Sequence, residues 1–156
     1  MNTRQILSLV YGFIVRGLPL VVIVGVASAS SGTPQENDEW NLFRRDAALT
    51  GVLPDGALAD VLVPIWMFEA DDSIESTAAI ANGHVYFGSL DTFFYALDLK
   101  TGEELWKFQA AAEVKSSPSV FDGFVYFGDE FGEFHALDAT TGEKKWGFDT
   151  GAGIIS

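Results

Sequence analysis

Ala96-Leu97-Asp98-Leu99-Lys100-Thr101-Gly102-Glu103-Glu104-Leu105-Trp106 is matched forty residues later by Ala136-Leu137-Asp138-Ala139-Thr140-Thr141-Gly142-Glu143-Lys144-Lys145-Trp146. The shared frame is A-x-D-x-x-T-G-x-x-x-W. Working outward, Ile74–Ala110 aligns over Val114–Thr150 without a gap, and fifteen of the thirty-seven positions are identical. They are Ser76, Gly83, Val85, Tyr86, Phe87, Gly88, Phe94, Ala96, Leu97, Asp98, Thr101, Gly102, Glu103, Trp106 and Phe108, each recurring at the same offset. Trp66 and Phe68 carry the register one step upstream. A gapless period of this length marks a repeat architecture.

Each unit reads as four short strands. Ala78–Ala81, Val85–Gly88, Phe93–Leu97 and Glu104–Phe108 are aromatic or β-branched runs separated by turn residues. Asn82-Gly83 and Asp122-Gly123 stand between the first and second strands, where a two-residue hairpin demands positive φ at both central positions. Lys100-Thr101-Gly102 and Thr140-Thr141-Gly142 close the third turn, with glycine where a Cβ would be penalised. No helical pattern of comparable strength follows residue 30. Four antiparallel strands in about forty residues, repeated head to tail, indicate β-propeller blades. The rival is a β-solenoid, whose coils are shorter and lack such hairpins. The expected fold is therefore all-β, a partial propeller with two complete four-stranded blades, preceded by a helical leader.

The A-x-D-x-x-T-G-x-x-x-W frame resembles the pyrroloquinoline-quinone (PQQ) repeat family of propellers over Trp66–Ser156. The resemblance implies that Trp66, Trp106 and Trp146 wedge between neighbouring blades, pack on a turn glycine, and give their indole N–H to a backbone acceptor. Burying a large ring with one polar atom is consistent with that arrangement. Ala96 and Ala136 are then small positions at the close approach. Asp98 and Asp138 are placed to accept backbone N–H groups of the turns that Thr101-Gly102 and Thr141-Gly142 complete. Upstream, Trp40-Asn41-Leu42-Phe43-Arg44-Arg45-Asp46 with Thr50-Gly51-Val52 resembles the lead-in of exported PQQ-repeat proteins, with Arg45 where glycine is usual. Arg44, Arg45 and Asp46 read as a structural ion pair and a solvated charge. In that family the strand holding Ile65-Trp66-Met67-Phe68 is the outer strand of the last blade, which closes the ring.

The organisation expected is a signal peptide at 1–29, a linker at 30–64 and blades at 65–156, with repeats 74–110 and 114–150 and a third opening at 154. Met1–Ala29 carries only Arg4 and Arg16 as charges, then the apolar run Leu18–Val26 and the small residues Ala27-Ser28-Ala29. Basic, apolar, then cleavable is the order of a secretory leader, with cleavage after Ala29. An uncleaved anchor starting near Ile6 is the alternative, against which stand Arg16 at mid-span and an apolar run short of the roughly 20 residues a bilayer needs. The 156 residues hold 22 acidic and 9 basic side chains, a net charge of −13; removing the leader gives 7 − 22 = −15. Such a charge argues against nucleic acid as a partner. A membrane would be met only through an uncleaved leader. The repeats stop at Gly153-Ile154-Ile155-Ser156, in register with Glu113-Val114-Lys115-Ser116. The expectation is the front portion of a longer propeller, from a truncated or split reading frame or from copies that complete one another.

The sequence holds no cysteine, which removes disulfides, thiolate zinc sites and cysteine nucleophiles. The PQQ resemblance raises the quinone itself, which quinoprotein dehydrogenases stack between a tryptophan and a disulfide of adjacent cysteines, with bound calcium and a catalytic aspartate. No residue here matches that set, so no catalytic, cofactor or metal residue is assigned, and PQQ enters only by family analogy. His84 and His135 are the only histidines; they occupy unlike positions in their repeats, no cysteine or carboxylate is read at a ligand spacing from either, which argues against zinc, and His135 reads as a half-buried strand residue. No nucleophile elbow supports a Ser-His-Asp site. Asp71-Asp72 and Asp129-Glu130 read as solvated surface charge. The function expected is a non-catalytic scaffold, periplasmic or extracellular, whose partners are other proteins or missing blades, resembling the propeller that serves outer-membrane protein assembly. The front of a quinoprotein dehydrogenase is the alternative, and a sensor propeller fused to a further domain is a third reading.

Overall fold

A computed structural model describes residues 20–24, as backbone only, and 63–155. The cleavage point after Ala29, the lead-in around Trp40–Asp46 and Thr50–Val52, and Ser156 lie outside the described residues. All ten described elements are strands: β1 (Leu20–Val24), β2 (Val63–Phe68), β3 (Ala79–Ala81), β4 (His84–Gly88), β5 (Phe93–Asp98), β6 (Glu104–Gln109), β7 (Ser119–Phe121), β8 (Phe124–Gly128), β9 (Glu133–Asp138) and β10 (Lys144–Asp149). Strands β3 to β6 form one antiparallel meander and β7 to β10 a second, so each forty-residue repeat is one four-stranded blade. The hairpins between β3 and β4 and between β7 and β8 have positive φ at Asn82 (53°), Gly83 (76°), Asp122 (49°) and Gly123 (79°). That is the twist-matching geometry these residue pairs supply at low cost.

Alternation along the strands sends successive side chains to opposite faces. In blade 1, Val85, Phe87, Tyr95 and Leu97 point toward β2 and pack with Ile80, Trp66 and Phe68. Tyr86, Phe94 and Ala96 point the other way, toward Val125, Phe127 and Leu137 of blade 2. Val125, Phe127 and Leu137 are the repeat equivalents of Val85, Phe87 and Leu97. One face of a blade thus receives and the opposite face delivers. Blade 1 is buried on both faces, and β3 and β7 are the strands through which the two meanders approach each other. At the centre of this interface the rings of Phe94 and Phe127 stack with centroids 4.0 Å apart and an interplanar angle of 4°.

One feature differs from the sequence expectation. The apolar run expected within a helical leader includes β1, a strand, and β1 pairs antiparallel with β2, Leu20 opposite Phe68 and Val24 opposite Val63. Val21-Val22-Ile23-Val24 is a β-branched run, which favours a strand where an unpaired edge is available. One edge of β2 is thus matched by β1 among the described residues.

Each blade is also tied to the segment that enters it and to the segment that follows it. Ser76 Oγ accepts from Gly88 N (2.8 Å) and donates to Gly88 O (2.9 Å), and Ser116 makes the same pair of bonds with Gly128 at 2.8 Å each. Val114 N donates to Ser89 O and Ile154 N to Asp129 O, which lays these residues over Gly88 and Gly128. A Cβ on Gly88 would stand 2.3 Å from Val114 Cγ1 and 2.6 Å from Val114 O. Because a backbone oxygen cannot step aside as a side chain can, Gly88→Ala is expected to cost about 1–3 kcal/mol by overpacking. Urea denaturation of the variant against the wild type checks this.

Candidate functional site

The tryptophan of one sheet and the T-G turn of the next build a repeated contact. Asp98 Oδ1 accepts from the N–H groups of Lys100 and Thr101 at 2.8 Å each, and Asp138 Oδ1 accepts from Thr140 and Thr141 at 3.0 Å each. These bonds fold the chain so that Gly102 and Gly142 adopt φ of 74° and 72°, which a side chain would penalise. The missing side chain has a second use. A Cβ on Gly102 would lie 2.5 Å from Cδ2 of Trp66, and one on Gly142 would lie 2.6 Å from Cε3 of Trp106. The indoles lie flat against the glycines. Trp66 Nε1 donates to Leu99 O at 3.0 Å and Trp106 Nε1 to Ala139 O at 3.2 Å, each across thirty-three residues. Tyr86 Oη donates to the same Ala139 carbonyl at 3.0 Å.

Ala96 pairs with Trp106 across β5 and β6, and Ala136 with Trp146 across β9 and β10; both alanines are fully buried. The structure therefore brings Trp66 to Gly102 and Trp106 to Gly142, but Trp146 meets no such glycine among the described residues. Trp146 packs on Tyr126 and Phe134 of its own blade and remains 49% exposed, with Phe148 beside it 64% exposed.

The turn carboxylates hold a pKa below the usual aspartate value. For Asp98 the largest cause is the N–H of Thr101, followed by that of Lys100; for Asp138 it is Thr141 and then Thr140. Tyr95 moves the other way: burial raises its phenol, reinforced by the hydrogen bond to Asp91.

A second cluster was not legible from strand grammar. Asp129 is fully buried rather than solvated, and His135 is 1% exposed rather than half-buried. Asp129 sits at the end of β8, where its Oδ1 accepts from the N–H groups of Phe131 and Glu133 at 3.0 Å each, and its Oδ2 lies 3.1 Å from His135 Nε2. Glu133 and His135 alternate on one face of β9. One donor atom from each of Asp129, Glu133 and His135 lies within 4.8 Å of the others. The signal available was Glu133-x-His135 within a strand, two potential ligands on the same side. Of the other acidic residues read as surface charge, Asp71 and Asp72 are exposed, while Glu130 is half-buried and pairs with Lys115. His84 Nδ1 lies 3.0 Å from Tyr86 Oη, beside the blade interface.

Two antiparallel blades joined by one indole-on-glycine contact, with a second joining β2 to blade 1, define a β-propeller segment of the PQQ-repeat type. Residues 63–155 match the family described as outer membrane protein assembly factor BamB, and this chain belongs to that family. Among solved structures, BamB from Moraxella catarrhalis is similar at 26% identity and TM-score 0.50, over 55% of this chain and 26% of that one. A europium-containing methanol dehydrogenase is similar at 28% identity and TM-score 0.50, over 55% of this chain and 19% of that one. Sqt1 of Saccharomyces cerevisiae shares the fold at 17% identity and TM-score 0.55, over 61% of this chain and 27% of that one. This chain thus spans about a quarter of the length of BamB. No curated protein matches the sequence significantly.

The quinone site implied by the dehydrogenase likeness does not fit the residues present. The sequence has no cysteine to form the disulfide face, and the indoles of Trp66 and Trp106 are committed to glycine turns and backbone carbonyls.

Truncating Trp106 to alanine is expected to destabilise the protein toward the lower end of the about 3–5 kcal/mol typical of buried aromatic rings, because its indole is half-buried. Trp146→Ala is expected to change stability by about 0.5 kcal/mol or less, as at an exposed site; thermal denaturation of the pair compares them. For Asp98 and Asp138, a folded pKa below the unfolded one means stability that is present above about pH 4 and is lost as pH falls through the folded value. The double variant Asp98→Asn, Asp138→Asn is expected to lose less stability on acidification than the wild type does, as read by denaturant midpoints across that range.

Proposed function

We propose that this chain is the blade-bearing part of an exported, non-catalytic scaffold that binds other proteins, or further blades, through the face of blade 2. The observation that carries the reading is an asymmetry between equivalent surfaces. Tyr86, Phe94, Ala96, Trp106 and Phe108 of blade 1 cover the neighbouring sheet. Their equivalents Tyr126, Phe134, Trp146 and Phe148 carry two of the largest exposed apolar side chains. An exposed apolar patch of this kind, set among charged residues, is what an interaction surface offers. Membership of the BamB family, whose description names outer membrane protein assembly, supports a scaffold role. The basic-apolar-small order of residues 1–29 supports export, and a net charge of −13 supports a protein rather than a nucleic-acid partner.

The likeness to a methanol dehydrogenase supports a second reading, the front of a quinone-dependent enzyme. The two readings separate experimentally. Under the scaffold reading, the full chain associates in a concentration-dependent manner in analytical ultracentrifugation, and Trp146→Ala with Phe148→Ser shifts it toward monomer. A wild-type chain that stays monomeric at high concentration and shows no partner loss on substitution removes the scaffold reading. Supplying PQQ and calcium is expected to produce no alcohol-dependent dye reduction; turnover under those conditions would install the second reading in its place.

A further inference from the structure

The two repeats differ most at one turn. Between Gly88 and Phe94 none of the five positions is kept in the second repeat, and two of the exchanges there, Ser89 to Asp129 and Phe93 to Glu133, are joined just beyond Phe94 by Tyr95 to His135. Each puts a carboxylate or an imidazole where blade 1 has a poorer metal ligand, and all three side chains converge.

Blade 1 shows what a purely structural lock at this place requires. Tyr95 Oη donates to Asp91 Oδ2 at 2.8 Å, and Asp91 Oδ1 accepts from Phe93 N at 2.9 Å. Blade 2 goes beyond that need. His135 meets Asp129 through Nε2, while its buried Nδ1 has no hydrogen-bond partner among the described residues. The one polar contact of the buried imidazole is therefore the Asp129 carboxylate, through the nitrogen on the side of the cluster. Glu133 brings a second carboxylate to the same imidazole, held by Lys144 from the solvent side. Asp129 and His135 are enclosed and Glu133 is half-buried, so the cluster opens outward through Glu133.

We propose that Asp129, Glu133 and His135 bind a divalent first-row transition metal ion, with Asp129 Oδ2, a carboxylate oxygen of Glu133 and His135 Nε2 as ligands and water in the remaining positions. One nitrogen and two oxygen donors suit a borderline cation such as Zn²⁺ better than the all-oxygen shells of calcium or magnesium. The 3.1 Å between His135 Nε2 and Asp129 Oδ2 is a separation that two ligands of one ion can share. Two carboxylates balance the ion's charge and release Lys144 to solvent. Binding needs the Nε2 lone pair, so the ring proton resides on Nδ1 in the loaded site.

The test titrates the full chain with Zn²⁺ by calorimetry, with Co²⁺ absorption as a second readout. One equivalent is expected to bind, the cobalt form to show a visible ligand-field band, and Tm to rise with Zn²⁺ concentration. The triple variant Asp129→Ser, Phe131→Asp, His135→Tyr installs the lock of blade 1 in blade 2. It is expected to keep the far-UV circular dichroism of the wild type while affinity falls by more than about 100-fold, beyond the usual effect of losing an outer-shell contact. Glu133→Gln leaves the buried Asp129–His135 pair in place and is expected to weaken binding by at least about tenfold. Absence of stoichiometric Zn²⁺ binding to the wild type overturns the proposal, as does wild-type affinity in either variant, which would place the ion on surface carboxylates. If the triple variant does not fold, Glu133→Gln alone decides.

Discussion

An indole lying on a glycine is the contact on which the rest of the described structure depends. A four-stranded blade cannot bury its own faces, so it is stable only against a neighbour. Trp66 on Gly102 and Trp106 on Gly142 provide that neighbour with a fixed distance and register. The contact has three parts that fail together. The aspartate of the turn draws two backbone N–H groups inward, the glycine takes a φ closed to most residues, and the vacated space admits a flat ring whose N–H then reaches a carbonyl on the same turn. Replacing any one part leaves either a ring with no seat or a seat with no ring.

Directionality follows from this contact. Each blade carries its tryptophan on the delivering face and its receiving glycine at the turn before it, so assembly proceeds with one polarity. Blade 1 is satisfied on both sides because β2 supplies Trp66 and Phe68 to its receiving face and blade 2 accepts its delivering face. The delivering face of blade 2 ends in half-exposed Trp146 and exposed Phe148. The same side chains are interior at one end of the pair and exposed at the other, with no change in their chemistry.

The repeat register and the four-strand grammar were legible in the sequence, because each uses residue types with few alternatives: glycine at positive φ, Asn-Gly and Asp-Gly at hairpins, and a tryptophan every forty residues; the seating of that tryptophan on a turn glycine was implied only by the family resemblance. Ser76 was visible as an identity but its use was not. A hydroxyl that bridges Gly88 N and O twelve residues away leaves no local pattern to read. The burial of Asp129 was hidden for a related reason. An acidic residue after Gly128 looks like loop charge until the turn folds back and sets it against His135. The pairing of β2 with β1 depends on which strand is present to occupy an edge, and a sequence pattern states an edge's need without naming its partner.

How the two repeats diverge is itself informative. The turn between β5 and β6 keeps Asp98, Thr101, Gly102 and Glu103 in the second repeat, whereas the turn between β4 and β5 keeps nothing. The first turn seats an indole of the adjoining sheet and has little freedom. The second lies away from that contact, and its requirement is only that something hold the chain as it reverses. Tyr95 with Asp91 meets that requirement in one blade, and His135 with Asp129 meets it in the other, with the carboxylate displaced by two positions along the turn. A repeated scaffold thus separates positions fixed by docking from positions free to acquire chemistry. Loops carried by a rigid framework are where binding groups accumulate, and in this protein the free turn is where a nitrogen and two carboxylates have come together.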